Sequence, residues 1–294
     1  MTQDDFVLGV DIGGTHFRMG LCSSTGALLD HYSLPTNTLE SASAGLVSLA
    51  DKLDPDHRAN RVVAGVPGLV NYHDLTLVYA PNLPPGFSDE LSAKKISGNL
   101  SREAHLVNDA DLAAIGECFY GSARDFESFA YVTVSTGVGA AVMYHKKLLH
   151  TRFSTGELGH SYISANYNDK NNAATVEQLA SGTAMAKMAK MRGINIANNE
   201  ILALAEKGDK ETLALADEIA WNAAIALVNM VNLFSVDALV LGGGVILSGD
   251  FMFDLIVNKF ESLRPKYFTT HVVRAQLADN AGLFGAINAH RALW

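Results

Sequence analysis

The chain has 294 residues, 48% of them hydrophobic and 18% charged, with a net charge of -9. That is enough for two ordinary domains with a large buried core, and the acidic balance disfavours nonspecific nucleic-acid binding. Two cysteines, Cys22 and Cys118, do not make a disulfide framework, which suits a reducing cytoplasm.

The N-terminal MTQDDFVLG lacks a basic segment followed by an apolar one, so no secretory signal is expected. No apolar run reaches the length of about 18 residues that a membrane span needs. Val7–Cys22 reads as a β-hairpin: an apolar strand, a tight turn at Asp11-Ile12-Gly13-Gly14-Thr15, then alternation with Phe17, Met19 and Leu21 on one face. Backbone N–H groups in such a turn can form an anion-binding nest, Thr15 adds a hydroxyl, and Asp11 could hold a hydrated Mg²⁺.

Next come a strand over Ala27–Leu34, a helix over Thr38–Leu53 and a strand over Arg61–Val66 that ends in the turn Pro67-Gly68. Ala80–Gly86 is rich in proline and reads as a loop around Asn82. Ser88–Leu100 is predicted helical, His105–Val107 a strand and Ala110–Tyr120 a helix. Asp109, at the junction of those last two, suits a helix N-cap. It also suits a general base, and the two roles are compatible.

A second strand–glycine turn, Ser135-Thr136-Gly137-Val138-Gly139, lies between strands Phe129–Val134 and Ala140–Tyr144. Glu157 and His160, three apart and flanked by glycines, can face one cavity and read neighbouring ligand hydroxyls; metal binding is the alternative. Helices follow over Thr183–Met191, Asn199–Lys207 and Lys210–Phe234. The last carries a core stripe of Leu213, Ala216, Ile219, Ala220, Ala223, Leu227, Met230, Val231 and Phe234. A third glycine turn, Gly242-Gly243-Gly244, follows the strand Ala238–Leu241. Gly249–Leu263 (helix), His271–Ala275 (strand) and Ala281–Leu293 (helix) complete the chain.

Three strand-then-glycine turns in this order resemble the ROK family of sugar kinases, in the actin-like ATPase-fold superfamily. DIGGT and STGVG are similar to its phosphate motifs, LVLGGGV to its adenosine segment, and Asn108-Asp109 and Gly156–His160 to its catalytic and sugar motifs. The likeness runs from residue 7 to about 290. It implies an α/β fold of two domains with a cleft between them, a smaller one of 1–108 plus about 279–294 and a larger one of 109–278. It also implies an ATP- and Mg²⁺-dependent cytoplasmic kinase, a homodimer, with no nucleic-acid or membrane partner.

On that resemblance Asp11, Gly13, Gly14, Thr15, Thr136, Gly137, Gly243 and Gly244 serve the nucleotide, and Asp11 serves the metal through water. Gly68, Asn82, Asn108, Asp109, Glu157, His160 and Glu177 face the sugar, and Asp109 is the base. Glucose is the first choice of substrate, with an N-acetylhexosamine such as N-acetylmannosamine, or allose, behind it. Family members usually carry a cysteine-rich zinc motif just after the histidine. Ser161–Thr175 contains no cysteine, so no zinc is expected. The family also includes repressors with an N-terminal helix-turn-helix. Only six residues precede the first strand here, which leaves no room for one. A catalytically inactive sugar-binding protein is a further rival, but such a protein would lack the base or a phosphate turn.

Overall fold

The computed structural model describes residues 6–154, 156–166 and 169–293. By contacts the chain divides into two units: residues 1–127, 141–155 and 279–294, and residues 128–140 and 156–278.

The first unit begins with the expected hairpin, β1 (Phe6–Ile12) and β2 (His16–Ser23), with Phe17 and Met19 fully buried. Strand β3 (Leu28–Pro35) follows antiparallel to β2. Helix α1 (Ala42–Leu53) starts later than its apolar pattern implied and ends where expected. A single 3₁₀ turn at Thr36–Thr38 comes first, and Ser41 then caps α1 by accepting the Ala44 N–H at 3.1 Å. Strand β4 (Ala59–Val66) pairs in parallel with β1. A small hairpin, β5 (Leu69–Asn71) and β6 (Thr76–Tyr79), follows, which the sequence pattern did not reveal. The helix expected over Ser88–Leu100 is two: α2 (Phe87–Glu90) and α3 (Ala93–Leu100). Buried Leu91 is extended between them, and Ser92 caps the second.

Strand β7 (Glu103–Asn108) leads into α4 (Asp109–Phe119). The first sheet has the order β3-β2-β1-β4-β7. The expected division at residue 108 falls inside this unit, because α4 packs along α10 (Ala281–Leu293) and α10 also packs on β1.

The second unit carries β8 (Ser128–Val134), the first residues of β9 (Val138–Tyr144), β13 (Ala238–Gly242) and β14 (His271–Arg274), while residues 141–144 of β9 and the short strand after it are counted with the first unit. With β10 (Lys147–Leu148), the sheet order is β10-β9-β8-β13-β14. Each five-stranded sheet thus places its own strands in the order third, second, first, fourth, fifth. The two glycine hairpins occupy equivalent places in that repeated plan.

The cysteine-free stretch forms an antiparallel hairpin, β11 (Tyr162–Asn166) and β12 (Asp169–Thr175); its residues 167–168 lie outside the described ones. Helices α5 (Val176–Ala180), α6 (Gly182–Met191), α7 (Asn198–Glu206), α8 (Lys210–Phe234) and α9 (Asp250–Leu263) complete the unit. Helix α8 is long and apolar enough to cross a membrane by composition, but 56% of that window is buried in the protein. Its core stripe is the expected one from Ala216 to Val231 and differs at the ends. Leu213 is 36% exposed, while Leu215 is fully buried with Ala216, Ile219 and Ala220.

Candidate active site

In the first unit the hairpin turn is fixed by its own backbone and by one residue from β3's end. The Gly13 N–H closes the turn on the His16 carbonyl at 2.8 Å. Thr36, fully buried, donates its N–H to the Thr15 carbonyl at 2.9 Å and its hydroxyl to the Gly13 carbonyl at 2.7 Å. Thr36 was not legible as a site residue, because its role depends on β3 returning beside the turn. Gly14 is demanded by close approach. A Cβ there would stand 2.3 Å from the Asn82 carbonyl oxygen. The exposed Asn82 loop and the first glycine turn are therefore neighbours.

Asp11, one residue before the end of β1, pairs across the hairpin with Arg18. The Arg18 guanidinium lies 3.3 Å from Asp11 and 3.2 Å from the exposed carboxylate of Asp279. Burial pushes the Asp11 carboxyl above its ordinary value, with Arg18 opposing. Its side chain is 26% exposed, and the Arg18 guanidinium beside it favours the ionised form.

At the end of β7 the helix cap is Asn108, a correction to the alternative that gave this role to Asp109. Its Oδ1 accepts the N–H groups of Ala110 at 2.9 Å and Asp111 at 3.2 Å. Its amide donates to the Gly68 carbonyl at 2.9 Å. Asn108 is buried, whereas Asp109, the first helical residue, is exposed and accepts its neighbour Ala110's N–H at 2.8 Å. A carboxylate there is favoured by the helix dipole and held in one place.

In the second unit the turn 135–139 is held from behind by the start of α6. Gly182 donates to the Ser135 carbonyl at 2.7 Å, and the Thr183 hydroxyl to the Thr136 carbonyl at 2.7 Å. Thr136 is exposed. Gly243 has φ +91°, and a Cβ there would meet the Val134 carbonyl at 2.4 Å, so the third turn admits only glycine. A cavity of about 530 Å³ opens beside these turns, lined by Thr136, Thr183, Asn198, Leu202, Gly244 and Ser248 among others. Its size and mixed lining suit a small ligand.

Glu157, His160 and Glu177 form a second cluster in this unit. His160 Nε2 lies 3.7 Å from the Glu157 carboxylate. Burial first, and Glu177 after it, push the Glu157 carboxyl up, while His160 pulls it down. Glu177 is half-buried and accepts the Val138 N–H at 3.0 Å. Its carboxylate lies where a Cβ on Gly137 would be, 2.4 Å from that point. A residue expected on the sugar thus touches the second glycine turn directly.

No thiolate cross-link orders this cluster. Val176 donates to the Ser161 carbonyl at 2.9 Å, the Ser161 hydroxyl to the Leu158 carbonyl at 2.7 Å, and Thr175 with Gln178 forms a capping box on α5. Among the described residues no three His, Cys, Asp or Glu side chains gather as a metal site.

The sequence profile of the ROK family matches residues 7–292. The chain belongs to the ROK family. Among relatives of this ROK protein, it is 26% identical to a glucokinase of Thermotoga maritima, covering 95% of each chain. It is 27% identical to an N-acetyl-D-glucosamine kinase of Salmonella typhi, covering 96% of this chain and 98% of the other. A ROK family glucokinase from Streptomyces griseus, solved with glucose and AMPPNP, superposes with a TM-score of 0.80 at 26% identity. That match covers 97% of this chain and 98% of the other. The fold is the α/β, actin-like ATPase fold of these kinases.

Proposed function

We propose that this chain is an ATP-dependent sugar kinase that phosphorylates a hexose hydroxyl, O6 by preference, with glucose as substrate. The observation that carries the reading is Asp109. It is an exposed carboxylate on a capped helix N-terminus, in a chain whose two glycine hairpins occupy equivalent places in two repeated sheets. Asp109 would accept the proton of the attacking hydroxyl as its oxygen bonds to the γ-phosphorus and ADP leaves.

Gly14 and Thr15 of the first turn, and Thr136 and Gly137 of the second, would hold the phosphates. Gly13, its N–H engaged by His16, would shape the first turn. Gly243 and Gly244 would admit adenosine to the cavity beside them. Asp11, a carboxylate near the end of β1 beside a glycine turn, fits a hydrated Mg²⁺ through water, and the bound ion would offset charge on the phosphates. Glu157, His160, Glu177 and Asn82 would read sugar hydroxyls. Asn108 and Gly68 would serve by fixing Asp109's place.

An N-acetylhexosamine substrate is the second reading. It is favoured by the likeness to the N-acetyl-D-glucosamine kinase. The deciding experiment compares kcat/KM for glucose, mannose, allose, N-acetylglucosamine and N-acetylmannosamine in a coupled ADP assay. An N-acetyl sugar ahead by more than about tenfold, roughly 1.4 kcal/mol of transition-state preference, overturns glucose. Absence of sugar-dependent ADP formation with the whole panel overturns the kinase.

A further inference from the structure

The small hairpin β5–β6 and the segment before residue 155 contribute two side chains that lie behind α4. The Tyr72 hydroxyl donates to Asp111 Oδ2 at 2.6 Å and accepts the backbone N–H of Asn108 at 3.1 Å. The Ser154 hydroxyl donates to Asp111 Oδ1 at 2.9 Å. The Asp111 N–H returns to Asn108 Oδ1, which closes a ring through the helix cap. Asp111 is fully buried, and Tyr72, Asn108 and Ser154 are all less than a tenth exposed.

Tyr72 is itself held on the main chain, its N–H bonded to the Arg152 carbonyl at 2.8 Å. Burial, and then the Asp111 carboxylate, push the Tyr72 phenol well above its ordinary value, so it keeps its proton and remains the donor.

A buried carboxylate is costly unless it is hydrogen-bonded, and a partly satisfied network is worse than an apolar one. Neither an N-cap nor a helix start needs this ring, because Asn108 alone caps α4. What the ring adds is a fixed backbone on the N-terminal side of Asp109. Asn108 N–H is tied to Tyr72, and Asp111, two residues on, is tied to the same hydroxyl. Asp109 therefore stands between two anchored neighbours.

We infer that Tyr72 and Asp111 are positioning residues for the Asp109 carboxylate, acting through the Asn108 N–H and the first turn of α4. The inference rests on the reading of Asp109 as base. Removing the hydroxyl leaves two buried groups without their shared partner and frees the strand end to shift. A shift of about 1 Å at a reacting group can cost on the order of 10²-fold in rate.

The test uses the whole chain. Tyr72→Phe should lower kcat at least tenfold with KM for ATP within twofold of the parent. Asp111→Asn, which keeps an acceptor for Tyr72 and a donor for Ser154, should recover kcat to within threefold. Amide hydrogen exchange of Asn108, Ala110 and Asp111 should quicken at least tenfold in Tyr72→Phe, with α10 unchanged. Kcat within twofold in Tyr72→Phe overturns the inference, as does a KM for ATP that rises in step with the loss of kcat.

If Tyr72→Phe does not fold, Ser154→Ala takes its place. It removes one bond from Asp111 and should lower kcat about threefold with KM for ATP unchanged; an unchanged kcat overturns the inference. If the parent itself forms no ADP with any sugar, the kinase reading fails. The exchange rates then decide the ring separately, and unchanged exchange in the variant overturns it.

Discussion

Gly14→Ala tests the contact between the first glycine turn and the Asn82 loop. The added Cβ would stand 2.3 Å from the Asn82 carbonyl oxygen. An unstrained carbon–oxygen contact is about 3.3 Å, so turn and loop must separate by about 1 Å. The strain is steric, since Gly14 lies outside the positive-φ region. Overpacking of this kind costs about 1–3 kcal/mol of stability. The displacement acts on both a proposed phosphate turn and a proposed sugar contact, so kcat/KM should fall on the order of 10²-fold.

Gly13→Ala is the internal control. Its Cβ would meet the His16 carbonyl at 3.2 Å, a contact a small adjustment can relieve. Coupled ADP assays and thermal unfolding at one scan rate compare the two variants with the parent. Gly14→Ala should fall below Gly13→Ala by at least about tenfold in kcat/KM, or 1.4 kcal/mol. Equal losses in both, or a parental melting temperature and rate in Gly14→Ala, would refute the close-approach argument.

Asp109→Ala should lower sugar-dependent turnover by about 10²–10⁴-fold while leaving sugar binding by calorimetry largely intact; retention of more than about a tenth of parental turnover removes it from the role. Glu157 carries a raised carboxyl, so its folded form binds a proton more tightly than its unfolded form, and ionising it works against the fold. Glu157→Gln should therefore raise the denaturant midpoint at pH 7, with the gain shrinking as pH falls to the ordinary carboxylate range, while sugar affinity drops. A midpoint gain that grows on acidification contradicts that sign. Gly243→Ala, forced into positive φ against the Val134 carbonyl, should cost about 1–3 kcal/mol and raise KM for ATP; a parental denaturation curve argues against it. Elemental analysis should find no stoichiometric zinc, and activity should stop on Mg²⁺ withdrawal but survive a zinc-selective chelator. One tightly held zinc per chain would contradict this.

The sequence alone carried the three strand–glycine turns, the succession of β1 to β3, α1 and β4, and the limits of α8, which runs from Lys210 to Phe234 as its pattern implied. These are local signals: alternation, glycine and helical period each act within a few residues. It also marked Asn108-Asp109 as a strand-to-helix junction. Tertiary structure decided which of that pair caps the helix, because Asn108 is fixed by Gly68 and Tyr72, 40 and 36 residues away. It also decided that Thr36 pins the first turn, that Glu177 reaches the second, and that Leu215 rather than Leu213 faces the core. The helix break at Leu91 belongs with these, since a buried extended leucine reflects the packing around it. Periodicity identifies an element. Which polar atom meets which depends on chain segments brought together from far apart, and no spacing rule within one segment encodes that meeting.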